Sequence, residues 1–118
     1  MTKQYWYSAT LRFYLVSSAE GRIGGEESVF LANATDWDKA FQKFLLIGRR
    51  EETSYKNHLG HELRKRFVGV AIMDRVGDVD LDGVEVSSTP LFEEDPNVTF
   101  DTPLDPDNSV PEHCGIGR

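Results

Sequence analysis

Over residues 5–16 the chain alternates without a break, with Tyr5, Tyr7, Ala9, Leu11, Phe13 and Leu15 on one side of an extended backbone and Trp6, Ser8, Thr10, Arg12 and Tyr14 on the other. A period of two with this many aromatics does not suit a helix and predicts a long β-strand. A strand so apolar on one side has to lie in a sheet and be covered there, which requires pairing strands and a covering layer elsewhere in the chain. Gly21, Gly24 and Gly25 predict a loop, and Ser28, Val29, Phe30, Leu31 and Ala32 a second strand returning antiparallel to the first.

The covering layer is a single helix. Trp37, Ala40, Phe41, Phe44 and Leu45 follow the i, i+3, i+4, i+7, i+8 spacing of one helical face, behind a cap at Thr35 or Asp36. Gly48 is the expected stop, with Arg49 and Arg50 near the negative end of the helix dipole. Residues 53–57 and 62–75 read as strands joined by a turn at His58, Leu59 and Gly60, and residues 67–73, apolar on both faces apart from Gly69, suggest a central strand. Asp82-Gly83, flanked by Val79 and Leu81 before and Val84 and Val86 after, is a strong hairpin signal. The fold class is α+β: an antiparallel sheet of about five strands, ββαββ plus a short final strand, with one helix on one face and an extended C-terminal tail.

Charge and proline divide the chain. Residues 1–73 carry 11 Lys/Arg against 8 Asp/Glu, net plus 3, while residues 74–118 carry 2 against 12, net minus 10. All five prolines lie in that last third, whose composition cannot bury enough apolar surface for a core of its own. The boundary is placed near Ser88, giving one domain over residues 1–88 and an acidic tail over residues 89–118; 118 residues hold one core. Apolar anchors at Leu91, Phe92, Val98, Phe100 and Leu104 predict a tail that docks along the domain. The N-terminal residues have no apolar run that could be a signal-peptide core, and no segment approaches the roughly 20 apolar residues of a membrane span. A lone cysteine, Cys114, agrees with a reducing compartment, so the expected location is cytoplasmic.

Candidate chemistry is sparse. Asp78, Asp80, Asp82 and Gly83 match the opening of a calcium loop, but Thr89 stands where that loop needs a bidentate Glu, and the interleaved valines favour the hairpin instead. In that hairpin Asp80 opposes Glu85, a like-charge pair that a cation or basic side chain would relieve. Arg49, Arg50, Lys56, Arg64, Lys65 and Arg66 form a basic patch interleaved with Tyr55, His58 and His61, yet Arg64 and Arg66 point to the opposite sheet face from Lys65 and the chain as a whole repels phosphate. A solvated strand end, or a docking surface for the chain's own tail, is preferred to nucleic acid. His58 and His61 are too few for a metal site, and His113-Cys114 lacks a core to orient it. No cofactor and no enzyme activity are read from these residues.

Trp6-Tyr7-Ser8-Ala9-Thr10-Leu11, Glu26-Glu27-Ser28-Val29, Asp38-Lys39-Ala40-Phe41, Ser54-Tyr55-Lys56-Asn57 before Gly60, Arg66-Phe67-Val68 and Asp82-Gly83-Val84-Glu85-Val86 occur in order. This series resembles the small bacterial proteins of domain of unknown function 4288 over about residues 5–87. The resemblance implies no activity, so no catalytic or binding residue is carried over from it. Two departures stand out: Arg64-Lys65-Arg66 is more basic than the resemblance leads one to expect, and the tail after Ser88 lies outside it. The leading expectation is a non-catalytic protein-interaction module, a homodimer through the sheet face away from the helix, where Trp6, Arg12, Tyr14 and Phe30 need a cover. The alternatives are a small acidic inhibitor or immunity-type protein binding a basic partner and a nucleic-acid-binding accessory factor.

Overall fold

The computed structural model describes residues 3–77, 83, 85–91 and 93–112. Its elements are β1 (Tyr5–Ser17), β2 (Gly21–Ala34), α1 (Trp37–Arg50), β3 (Thr53–Lys56), β4 (Glu62–Gly77), β5 (Glu85–Leu91) and a 3-10 turn (Pro106–Asn108). They make one antiparallel sheet of order β3-β4-β1-β2-β5 with α1 packed against it, the α+β arrangement anticipated above.

The alternating strand β1 takes the middle position, paired with β2 on one side and β4 on the other. Tyr7, Ala9, Leu11 and Phe13 bury their side chains against Ala40, Phe44, Leu45 and Ile47 of α1. The helix begins where Asp36 caps it, accepting the Lys39 amide at 2.8 Å. It runs past Gly48, which is a contact rather than a stop: a Cβ there would strike the Phe67 ring, so the glycine lets the last turn lie flat on β4.

The predicted glycine loop at residues 21–25 is also strand. Pairing with β1 all the way to Ser17 supplies the ladder bonds that offset the low strand propensity of glycine. The two last strands are not neighbours, because β5 pairs with β2, with Phe30 opposite Glu85. The Asp82-Gly83 turn with Val79, Leu81 and Val84, and the Asp80–Glu85 opposition read from it, lie outside the described residues except for Gly83, whose amide donates to the Leu31 carbonyl. β5 takes the far edge of the sheet, on the outer side of β2, while β2 and β4 hold the positions beside β1.

Helix and sheet differ in length, and that sets where surfaces remain. Fourteen residues of helix span about 21 Å, while the 16 residues of β4 reach about 53 Å, matching the molecule's 53 Å long axis. One helix therefore covers less than half of its side of the sheet. Past β5 the chain crosses to the other side, forms a bridge between Asp95 and Arg22, and later a parallel bridge between Glu112 and Ile72.

Candidate functional site

Three regions hold the side chains that the sequence singled out. On the sheet side away from α1, Trp6 is only 6% exposed and Val16 is fully buried, while Val29, Leu31 and Ile72 are half-buried. Phe30 is not on that side at all. It stands opposite Ala9 and belongs to the core under the helix, because β2 pairs with β1 in a register that puts both on the same face. Arg12 is on the expected side, half-exposed, and both its Nε and its Nη2 donate to the Glu27 carboxylate, at 2.9 and 2.7 Å. Tyr14 lies half-buried beneath Arg22, whose guanidinium carbon is 4.3 Å from the ring centroid.

Arg22 escaped the sequence reading because its glycine neighbours made it a loop residue. In the extended hairpin it pairs with Val16, on the side of Tyr14, and is buried there. Its Nε has no hydrogen-bond partner among the described residues, and its Nη2 is 3.9 Å from the Glu93 carboxylate.

The basic patch is divided over several surfaces. Arg64 Nη1 donates to the Phe100 carbonyl at 3.2 Å with its guanidinium over the Phe100 ring, and Arg66 Nη1 donates to the Thr99 carbonyl at 2.6 Å. Burial holds the Arg66 guanidinium below its ordinary pKa, with Arg64 beside it acting in the same direction. Arg49 pairs with Asp107, and Arg50 with Glu51 at 3.2 Å. Lys56 is exposed on β3, in register with Glu62. Lys65 faces the helix side, where its ammonium sits 4.5 Å from the Phe13 ring centroid and 2.5 Å from the Glu26 carboxylate. Three of these cations thus hold the chain's own tail.

Beyond the end of α1, on the helix side of the sheet, lies a separate surface. Lys65, Glu26, Phe13, Leu15, Thr53 and Tyr55 line a cleft of about 220 Å³. Ser88 Oγ donates to Glu26 at 2.9 Å. Burial works to raise the Glu26 pKa, but the Lys65 contact and the Ser88 hydroxyl outweigh it and hold the carboxyl below its usual range. Tyr55 is 52% exposed, and Leu59 in the adjoining turn is 66% exposed. No His/Cys/Asp/Glu grouping able to hold a metal ion occurs among the described residues.

The aspartates Asp78, Asp80 and Asp82 and the pair His113-Cys114 lie outside the described residues. Among the described residues, no helix is long and apolar enough to cross a membrane. Comparison with protein families matches residues 6–88 to one described as domain of unknown function (DUF4288). No curated protein and no solved structure matches the chain.

Proposed function

We propose that this chain, which belongs to the family of domain of unknown function DUF4288, serves as a non-catalytic protein-interaction module that pairs with a second copy of itself. The observation that carries the reading is the stretch of helix-side sheet that α1 is too short to cover, where Tyr55 stays exposed on the cleft that also holds the Lys65–Glu26 pair. This surface takes over the role first expected of the opposite face, whose Trp6 has little solvent left to lose.

A second copy suits the surface because a two-fold contact places the same patch against itself. A patch holding one cation and one anion side by side can then meet opposite charge across the axis, while Tyr55 supplies the aromatic anchor common in such contacts. Light scattering of the wild type, Tyr55→Ala and Arg12→Ala tests the proposal. The wild type and Arg12→Ala should be dimers and Tyr55→Ala a monomer; a monomeric wild type at high concentration, or a dimer indifferent to Tyr55, rejects it.

A further inference from the structure

Strand β4 is flanked by β3 only at residues 62–65, which leaves the rest of its outer edge to other groups. The Phe67 amide donates to the Glu52 carboxylate at 3.0 Å, and the Val70 amide to Ser109 Oγ at 2.9 Å. Among the described residues the edge pairs with backbone at its far end, where the Met73 amide donates to the Glu112 carbonyl at 2.8 Å and the Glu112 amide to the Ala71 carbonyl at 3.1 Å. Two side-chain oxygens therefore stand where a neighbouring strand would place carbonyls; register shifts opposite Arg12–Phe13 and Thr10–Leu11 space these amides three residues apart, so an incoming strand replaces them only with a matching irregularity of its own.

The segment now at this edge is held at Ser109, at Glu112 and by the Arg49–Asp107 pair. Val110 is 88% exposed, and the Arg49–Asp107 pair is open to solvent on both sides, where ion pairs contribute little. A cleft of about 470 Å³, lined by Arg12, Val68, Ile72, Ser109 and Val110 among others, separates part of the segment from the sheet. Gly69 sets the closest approach: a Cβ there would strike Ser109 Oγ, so the seat exists only because position 69 has no side chain. Arg49 and Arg66 flank it together with Glu52 and Pro106, so two cations stand against one carboxylate, a balance that favours acidic segments.

We propose that the β4 edge over residues 67–73 is an acceptor for an acidic extended peptide of another protein, bound by strand addition, and that the chain's own residues 105–112 are its resident competitor. Strand addition takes affinity from main-chain hydrogen bonds and specificity from the flanking side chains. Here the cations and the bare Gly69 are those flanking features. The seat lies on a different surface from the Tyr55 patch, so this site and self-association can fail separately.

The probe is a fluorescein-labelled peptide with the sequence of residues 104–112, titrated into the full chain by anisotropy. A tethered segment competes at an effective concentration on the order of mM, so the double variant Asp107→Ala/Ser109→Ala should bind the peptide at least about tenfold more tightly than the wild type. Adding Gly69→Val to that variant should abolish binding. Equal affinity for wild type and double variant, no binding by a folded double variant, or binding that survives Gly69→Val would each overturn the proposal. Amide exchange on the unmodified protein gives a second decision: the Val70 and Met73 amides should exchange at least about tenfold faster than that of Leu11, and equally slow exchange would show a segment too firmly fixed to be a competitor.

Discussion

Gly48→Ala sets two known effects against each other at one atom. In an unobstructed helical position, replacing glycine by alanine stabilises by about 1 kcal/mol, because alanine loses less backbone entropy and favours the helix. At Gly48 the new methyl would enter the space of three atoms of the Phe67 ring. That ring is 2% exposed and tilted against Phe13 with centroids 5.5 Å apart, so it has little room to retreat. Forcing an extra methyl into a packed site costs about 1–3 kcal/mol, and strain with this many close atoms belongs at the upper end. The balance is a net destabilisation of about 1–2 kcal/mol, measured by urea unfolding at neutral pH. The Phe67→Leu background supplies the control, since removing the ring should reduce the cost of Gly48→Ala by about 1 kcal/mol or more. A Gly48→Ala protein more stable than the wild type, or a cost independent of residue 67, would refute the packing described here.

Phe44→Ala should cost about 3–5 kcal/mol, as deletion of a fully buried aromatic does, and the partly buried Phe41 should cost less, whereas Lys39→Ala should stay within about 0.5 kcal/mol; urea melts rank them. Glu26 has a folded pKa below 4.5, so its contribution to stability is complete above about pH 4.5 and disappears as the pH falls through the folded value. Urea midpoints should accordingly favour the wild type over Glu26→Gln at pH 7, with the difference shrinking as the pH is taken below the ordinary carboxylate range, and a difference that stays constant on acidification would contradict the assignment. Arg66→Gln removes the bond to the Thr99 carbonyl, and limited proteolysis between Glu93 and Asp107 should then be faster than in the wild type; unchanged cleavage would mean that this contact does not hold the tail.

Several features are local and therefore legible in the residues themselves. The alternation over residues 5–16 requires a strand, the spacing of Trp37, Ala40, Phe41, Phe44 and Leu45 requires a helix, and Asp36 is a cap by its chemistry. Each follows from geometry repeated within a few residues. The opposite facing of Lys65 and of Arg64 and Arg66 follows in the same way from the pleat.

Decisions that depend on a distant partner were not legible. Gly48 resembles a helix stop until Phe67 is brought beneath it, and the glycines of residues 21–25 resemble a loop until β1 pairs with them as far as Ser17. Phe30 shows the same limit. Within residues 28–32 alternation establishes two faces but not which one meets the helix, and only the Ala9–Phe30 register chooses. Strand order is likewise tertiary: a turn signal describes the chain over four residues, whereas the choice between the outer edges of β4 and β2 is made across the whole sheet, and β5 takes that of β2. The uncovered Tyr55 surface exists because a helix advances about 1.5 Å per residue and a strand about 3.3 Å, a mismatch that becomes a place on the molecule only once the two are packed together.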